Sequence, residues 1–94
     1  MAYKYDWWAY VKGMIRRYPD SCTVREREAV EAAIEDTRRF VDASERLRFI
    51  DLEFWRQSHT FIGAALECHI SERTASTWHR DFIYSVARHF GLME

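Results

Sequence analysis

Arg73, Thr77 and Arg80 follow one another at spacings of four and three. At about 100° per residue, a helix carries all three, and Tyr84 after them, along one ridge. Ser71, Glu72 and Ser76 stand near the start of the same stretch. A guanidinium can grip guanine O6 and N7 together, a glutamate accepts from cytosine N4, and serine or threonine bonds either kind of base edge. This pattern therefore suits base edges in a major groove, with Arg73 as the first choice and Ser76, Thr77, Arg80 and Glu72 beside it. Phosphates are met by cations, hydroxyls and backbone N–H groups at helix starts. The candidates are His59, Thr60 and Ser71 before helices, Tyr84 on the ridge, and Arg16, Arg17 and Arg88 for salt-dependent affinity.

Other chemistry finds little support. His59, His69, His79 and His89 recur every ten residues. Ten residues turn a helix by about −80°, so the four imidazoles share no face, and metal binding by Cys68, His69 and His79 is not expected. There is no nucleophile elbow, phosphate-cradling glycine loop or HExxH pair. Cys22 and Cys68 lie in no metal-type spacing and read as inert, semi-buried thiols of a reducing cytoplasm. No catalytic residue, metal or cofactor is expected.

The ridge needs elements to hold it. Two helices crossing at a tight turn require a small residue at the crossing, a turn residue, a cap on the second helix and apolar anchors behind it. Ala65, His69, Ile70, Ser71, Ala75 and Trp78 supply these in order, with Ile70 as the inward plug. The turn favours a left-handed backbone, where Gly is usual and His is among the enriched alternatives. Ala75, Trp78, Phe82, Val86 and Phe90 fall within about 60° of one direction, forming the buried stripe opposite the ridge. Gly91 and Leu92 match a left-handed helix stop with its hydrophobic contact.

Upstream, Asp6 is an N-cap for a helix ending at Tyr18 before Pro19, with Trp7, Val11, Met14 and Tyr18 as its core stripe. Thr23 with Glu26 forms a capping box for a long charged helix whose stripe is Val30, Ala33, Ile34, Thr37 and Val41 or Phe40. That stripe fits packing within the domain and dimerisation alike. Arg27 with Glu31, and Glu35 with Arg38 or Arg39, support a solvated face. Asp42 with Glu45 is a second capping box, so the helix breaks near Ala43 and restarts from Glu45 to Gln57, burying Leu47, Ile50 and Phe54, with Phe49 and Trp55 as further candidates. Ser58 and His59 form a loop, and Thr60 caps the next helix.

Composition is consistent with a helical domain. The 94 residues hold only 3 Gly and 1 Pro, too little punctuation for a sandwich or barrel. Net charge is −1, which at first disfavours nucleic acid, but its distribution is uneven. Met1 to Pro19 carries +3, Asp20 to Gln57 −3, and Ser58 to Glu94 −1. No stretch approaches the roughly 18 apolar residues of a membrane span, and no secretory leader opens the chain.

The segment from Thr60 to Phe82, followed by Val86-Ala-Arg-His-Phe-Gly-Leu, resembles the ArpU and RinA type of phage transcriptional regulators of Gram-positive bacteria. It is more distantly similar to region 4 of sigma factors, in which a helix-turn-helix with a long last helix reads promoter DNA. The resemblance covers Glu45 to Leu92, about half the chain. The opening Tyr5-Asp-Trp-Trp-Ala-Tyr-Val-Lys-Gly-Met-Ile-Arg-Arg-Tyr-Pro is similar to the start of small phage-derived proteins with the same module. The resemblance implies a phage or prophage regulator acting on late genes.

The sequence thus predicts one all-α domain over 1–94 with four to five helices. An aromatic helix lies in 1–19, a long charged helix in 23–44, and a sigma-region-4-like helix-turn-helix in 45–92. The expected function is sequence-specific duplex DNA binding in transcriptional control, with RNA polymerase and a second copy as further partners. Two alternatives stand beside it: a DNA-packaging protein like the small terminase subunit, and a module binding RNA polymerase or a sigma factor through Val24 to Gln57.

Overall fold

The computed structural model describes residues 6–56 and 59–92. Tyr5, Gln57 and Ser58, which enter the expectations above, lie outside the described residues.

Five α-helices follow in order: α1 (Trp8–Arg17), α2 (Val24–Thr37), α3 (Ala43–Ile50), α4 (Phe61–Glu67) and α5 (Glu72–Phe90). Among the described residues there is no strand. The first helix starts at Trp7 without a side-chain cap, so Asp6 does not play that role. Aromatic packing stands at this end instead: Trp7 stacks on Trp8, and both meet the Tyr84 ring edge-on at 6.4 and 5.7 Å. Val11 and Met14 are buried as the spacing demands, and Ile15 joins them.

The capping box of α2 is formed in both directions. Thr23 Oγ1 accepts from the Glu26 N–H at 3.2 Å, and the Thr23 N–H donates to Glu26 Oε1 at 3.0 Å. The helix ends at Thr37, however, seven positions short of the expected 44. Thr37 donates its hydroxyl back to the Ala33 carbonyl, and the chain continues in tight turns, with Arg39 bonded to Asp36, Phe40 to Thr37 and Ala43 to Phe40. Val41 and Phe40 therefore leave the stripe for solvent. The second capping box is also absent, because Asp42 makes no cap bond and its Oδ1 instead accepts from Arg46 Nε at 2.8 Å. Of the charged pairs expected along α2, Glu35 meets Arg38, while Glu31 accepts from the Tyr18 hydroxyl.

After Ile50 the helix widens into one π-helical turn, Asp51–Trp55, closed by the Arg56 N–H on the Asp51 carbonyl at 2.8 Å. A regular α-helix spreads Phe49, Ile50, Leu52 and Phe54 too far around its axis to bury them all. The wider turn brings all four into the core. The Trp55 indole N–H reaches the Ile15 carbonyl at 2.9 Å and ties this turn to α1.

The second half follows its local signals closely. Thr60 Oγ1 accepts from the Gly63 N–H and caps α4, and a Cβ on Gly63 would crowd that oxygen at 3.1 Å. Gly91, at φ 90°, ends α5, with the Leu92 N–H returning to the Ala87 carbonyl at 2.8 Å. One hydrophobic cluster draws on every helix and the π turn. The last helix lies chiefly on α2, with α1, α3 and α4 also against it.

Candidate nucleic-acid interface

The turn between α4 and α5 is the centre of the candidate surface. His69 adopts φ 58°, the left-handed geometry expected of it. Its N–H bonds to the Leu66 carbonyl at 3.1 Å, and the Ile70 N–H bonds to the Ala65 carbonyl at 3.0 Å. This pair of bonds is a Schellman closure with His69 in the place glycine usually holds and Ile70 as the apolar residue after it. Ala65 is buried, and Ile70 packs against the core. Ser71 then caps α5, its Oγ accepting from the Thr74 N–H at 3.1 Å.

On α5 the buried stripe carries Ala75, Trp78, Phe82 and Val86, as projected. Trp78 lies edge-on to Phe49 at 6.2 Å, a core residue rather than a stacking platform. The opposite side differs between the two halves of the helix. Glu72, Arg73, Ser76 and Arg80 are exposed, and Thr77 is half-buried with its hydroxyl donating to the Arg73 carbonyl. Beyond Arg80 the ridge ends. Tyr84 is half-buried beneath Trp7 and Trp8, and Ile83 and Ala87 are fully buried. The helical projection placed Tyr84 in solvent because it contained no neighbour for that side; α1 is that neighbour.

The phosphate candidates are spread out. Arg88 is exposed near the far end of α5. Arg16 is exposed on α1, with its guanidinium 5.7 Å from the Phe54 ring centroid. Arg17, expected to be available, is instead paired with the buried Glu26 carboxylate at 3.3 Å. His59 and Thr60 stand together at the start of α4, with His59 Nε2 3.8 Å from Glu67 and the Thr60 hydroxyl committed to its cap.

Charge pairing around the turn is selective. Glu67 meets Arg48 at 3.3 Å, and Asp81 meets Arg46 at 3.4 Å. Glu53, almost buried in the π turn, bonds to His79 Nδ1 at 2.9 Å, and that imidazole stacks on Phe54. The side chains of Arg73 and Arg80 bond to no described residue. Burial pushes the Cys68 thiol pKa up, although Arg48 comes within 4.0 Å of the sulfur, so this cysteine is held in its unreactive form.

Sequence reasoning missed the pairings that cross between helices. The Glu53–His79 bond joins residues 26 apart, and Asp36 Oδ2 accepts from both Ser85 Oγ at 3.0 Å and His89 Nε2 at 2.7 Å, 49 and 53 residues away. The His89 bond, and less strongly the Ser85 bond, hold the Asp36 carboxyl below its ordinary range. The histidine spacing of ten thus conceals four separate sites: a contact with Glu67 at His59, a turn at His69, and helix-to-helix bonds at His79 and His89.

Among the described residues no group of three or more His, Cys, Asp or Glu side chains could hold a metal ion. No described helix is long and apolar enough to cross a membrane. An all-helical domain carrying a short capped helix, a left-handed turn and a long helix with an arginine-bearing face is the class that fold and site define. Comparison with protein-family models, curated proteins and solved structures finds no match.

Proposed function

We propose that this chain binds duplex DNA with sequence preference and acts in transcriptional control, α5 entering the major groove by its first turns. One observation carries the reading: Glu67 on α4 and Asp81 on α5 are each matched by an arginine, whereas Arg73 and Arg80 stand exposed on α5, bonded to no described residue, with Glu72 the one acid left exposed beside them. Those two guanidiniums lose no internal bond on meeting a base or phosphate, and Arg73 sits at the end of the helix from which recognition helices reach bases, with Arg80 two turns further along. Arg73 reads guanine, Ser76, Thr77, Arg80 and Glu72 contribute beside it, and Arg16 and Arg88 meet backbone phosphates. Thr60, His59 and Ser71 present helix starts to the phosphates. Arg17, exposed but paired with Glu26, and Tyr84, half-buried under Trp7 and Trp8, position the surface rather than meet phosphates. Assignment to a phage or prophage, as an activator of late genes, rests on the sequence resemblance alone, and the cytoplasmic reading on the two unpaired cysteines.

Arg73→Ala should cost about 1–3 kcal/mol of specific binding and relax preference at one base position. The measurement is selection from a random duplex pool at two salt concentrations, with circular dichroism as the folding control. Unchanged affinity and unchanged preference would remove Arg73 from the base contacts.

A second reading draws support from Phe40 and Val41, exposed where α2 turns into α3 within the acidic segment. Here the chain docks on RNA polymerase or a sigma factor, and no binding to DNA falls with salt. The packaging alternative requires ring assembly, which a mass measurement in solution distinguishes from a monomer or dimer.

A further inference from the structure

A cleft of about 460 Å³ opens between the end of α2, α3 and the outer side of α5. That volume lies within the roughly 300–1,000 Å³ of sites that hold small organic ligands. Its apolar wall is the half-exposed Phe40, and at its base only the edges of the core residues Ile50, Trp78 and Phe82 come to the surface. The charged groups around it are three arginines and two aspartates, and they are not equally free. Asp81 is paired with Arg46, whose guanidinium carbon sits 3.9 Å from the Phe40 ring centroid and 5.5 Å from that of Trp78 and which also pairs with Asp42. Asp36 is occupied by Ser85 and His89. Arg39 and Arg88 remain at the rim, exposed, their guanidiniums bonded to no described residue. A negative group entering here meets two cations and displaces no existing bond.

We propose that this cleft binds a small amphipathic anion, an aromatic or aliphatic ring body carrying one carboxylate, sulfonate or phosphate head. The ring lies against the exposed Phe40 beside the edge of Trp78, and the head lies between Arg39 and Arg88, where charge-assisted bonds fix its direction. The apolar wall separates this site from a bare phosphate contact, since a phosphate alone would leave the wall wet. The inference leaves the base-reading face untouched, but it assigns to the cleft the Arg88 guanidinium that the proposed reading sets against backbone phosphates, and the two assignments exclude each other at that residue.

The test uses the full chain at neutral pH and low salt with an anilinonaphthalene sulfonate as probe, followed by its fluorescence. One saturable site is expected. Arg39→Gln combined with Arg88→Gln should weaken it by about ten-fold, the loss of charge-assisted bonds to the head. Both side chains are exposed and unpaired, so the melting temperature should not move. Phe40→Ala should also weaken the probe, whereas Ile62→Ser with Leu66→Ser, on the exposed apolar pair of α4, should leave it unchanged. Inorganic phosphate in excess should compete for the head. Probe binding that is unaffected by the double arginine variant, that is lost with Ile62 and Leu66, or that never saturates would overturn the proposal. Stoichiometric displacement by a short DNA duplex would overturn it too, assigning Arg39 and Arg88 to the DNA backbone.

Discussion

Glu26 is the strongest test of how the helices are held. Its side chain is 9% exposed and serves three partners: the Thr23 N–H at 3.0 Å, the Tyr10 hydroxyl at 2.8 Å and the Arg17 guanidinium at 3.3 Å. Glu26→Ala removes half of a capping box, worth about 1 kcal/mol. It also frees the Tyr10 hydroxyl, but at 45% exposure that group turns to water, so about a few tenths more are lost. The Arg17 pair adds only a few tenths, because that guanidinium is 44% exposed and screened by water. The sum is about 1.5–2 kcal/mol, which in a domain of this size lowers Tm by roughly 6–16 °C.

The pH dependence has a definite sign. The Thr23 N–H and then the Tyr10 hydroxyl hold the Glu26 carboxyl below the ordinary glutamate range. A carboxylate whose folded pKa is depressed contributes stability that is complete above its unfolded value, about 4.3, and disappears as pH falls through the folded one. The gap between the natural chain and Glu26→Ala should therefore be widest at neutral pH and shrink in acid. Glu26→Gln should fall between them, keeping an acceptor but losing the charge. Thermal unfolding followed by circular dichroism from neutral pH into acid measures all three chains. A neutral-pH loss below about 0.5 kcal/mol, or a gap that stays constant into acid, would refute the reasoning built on these bonds.

Three further outcomes follow from the same geometry. His69→Gly relieves a left-handed backbone at φ 58° and should leave the fold unchanged or stabilise it by up to about 1 kcal/mol in urea unfolding; a clear loss would mean the imidazole itself is needed. Ser71→Ala removes the cap of α5 and should cost about 0.5–2 kcal/mol, with hydrogen exchange rising first in the turn from Glu72 to Ala75. Asp36→Asn should flatten the part of the acid profile that the clasp to His89 and Ser85 produces, since a depressed aspartate stabilises above the ordinary range near 4 and not below its own pKa; an unaltered profile would dissociate Asp36 from acid stability.

The features legible in the sequence were those written within a few residues. Thr23, Thr60, Ser71, His69 and Gly91 each announce themselves through bonds to groups one to five positions away, and all five stand as expected. The end of α2 at Thr37 was not legible, because no glycine or proline marks it and Val41 continues the apolar spacing into solvent. The π turn was hidden for a similar reason: the apolar residues Phe49, Ile50, Leu52 and Phe54, interrupted by Asp51 and Glu53, show that burial occurs but not how the backbone widens to achieve it. The candidate surface was half legible. Arg73 and Arg80 follow from helical projection, but the loss of Tyr84 to α1 and of Arg17 to Glu26 depends on contacts between segments far apart in the chain.

The early end of the exposed ridge limits how much information the surface could extract from DNA. From Glu72 to Arg80 the helix advances by about 13 Å, the length of roughly four base pairs. A four-letter word recurs by chance about once in 250 base pairs, far too often to mark one address among the roughly million or more sites of a genome. On the proposed reading, a single copy therefore specifies a short word, and an address would require either two such words at fixed spacing or a companion protein that supplies the rest.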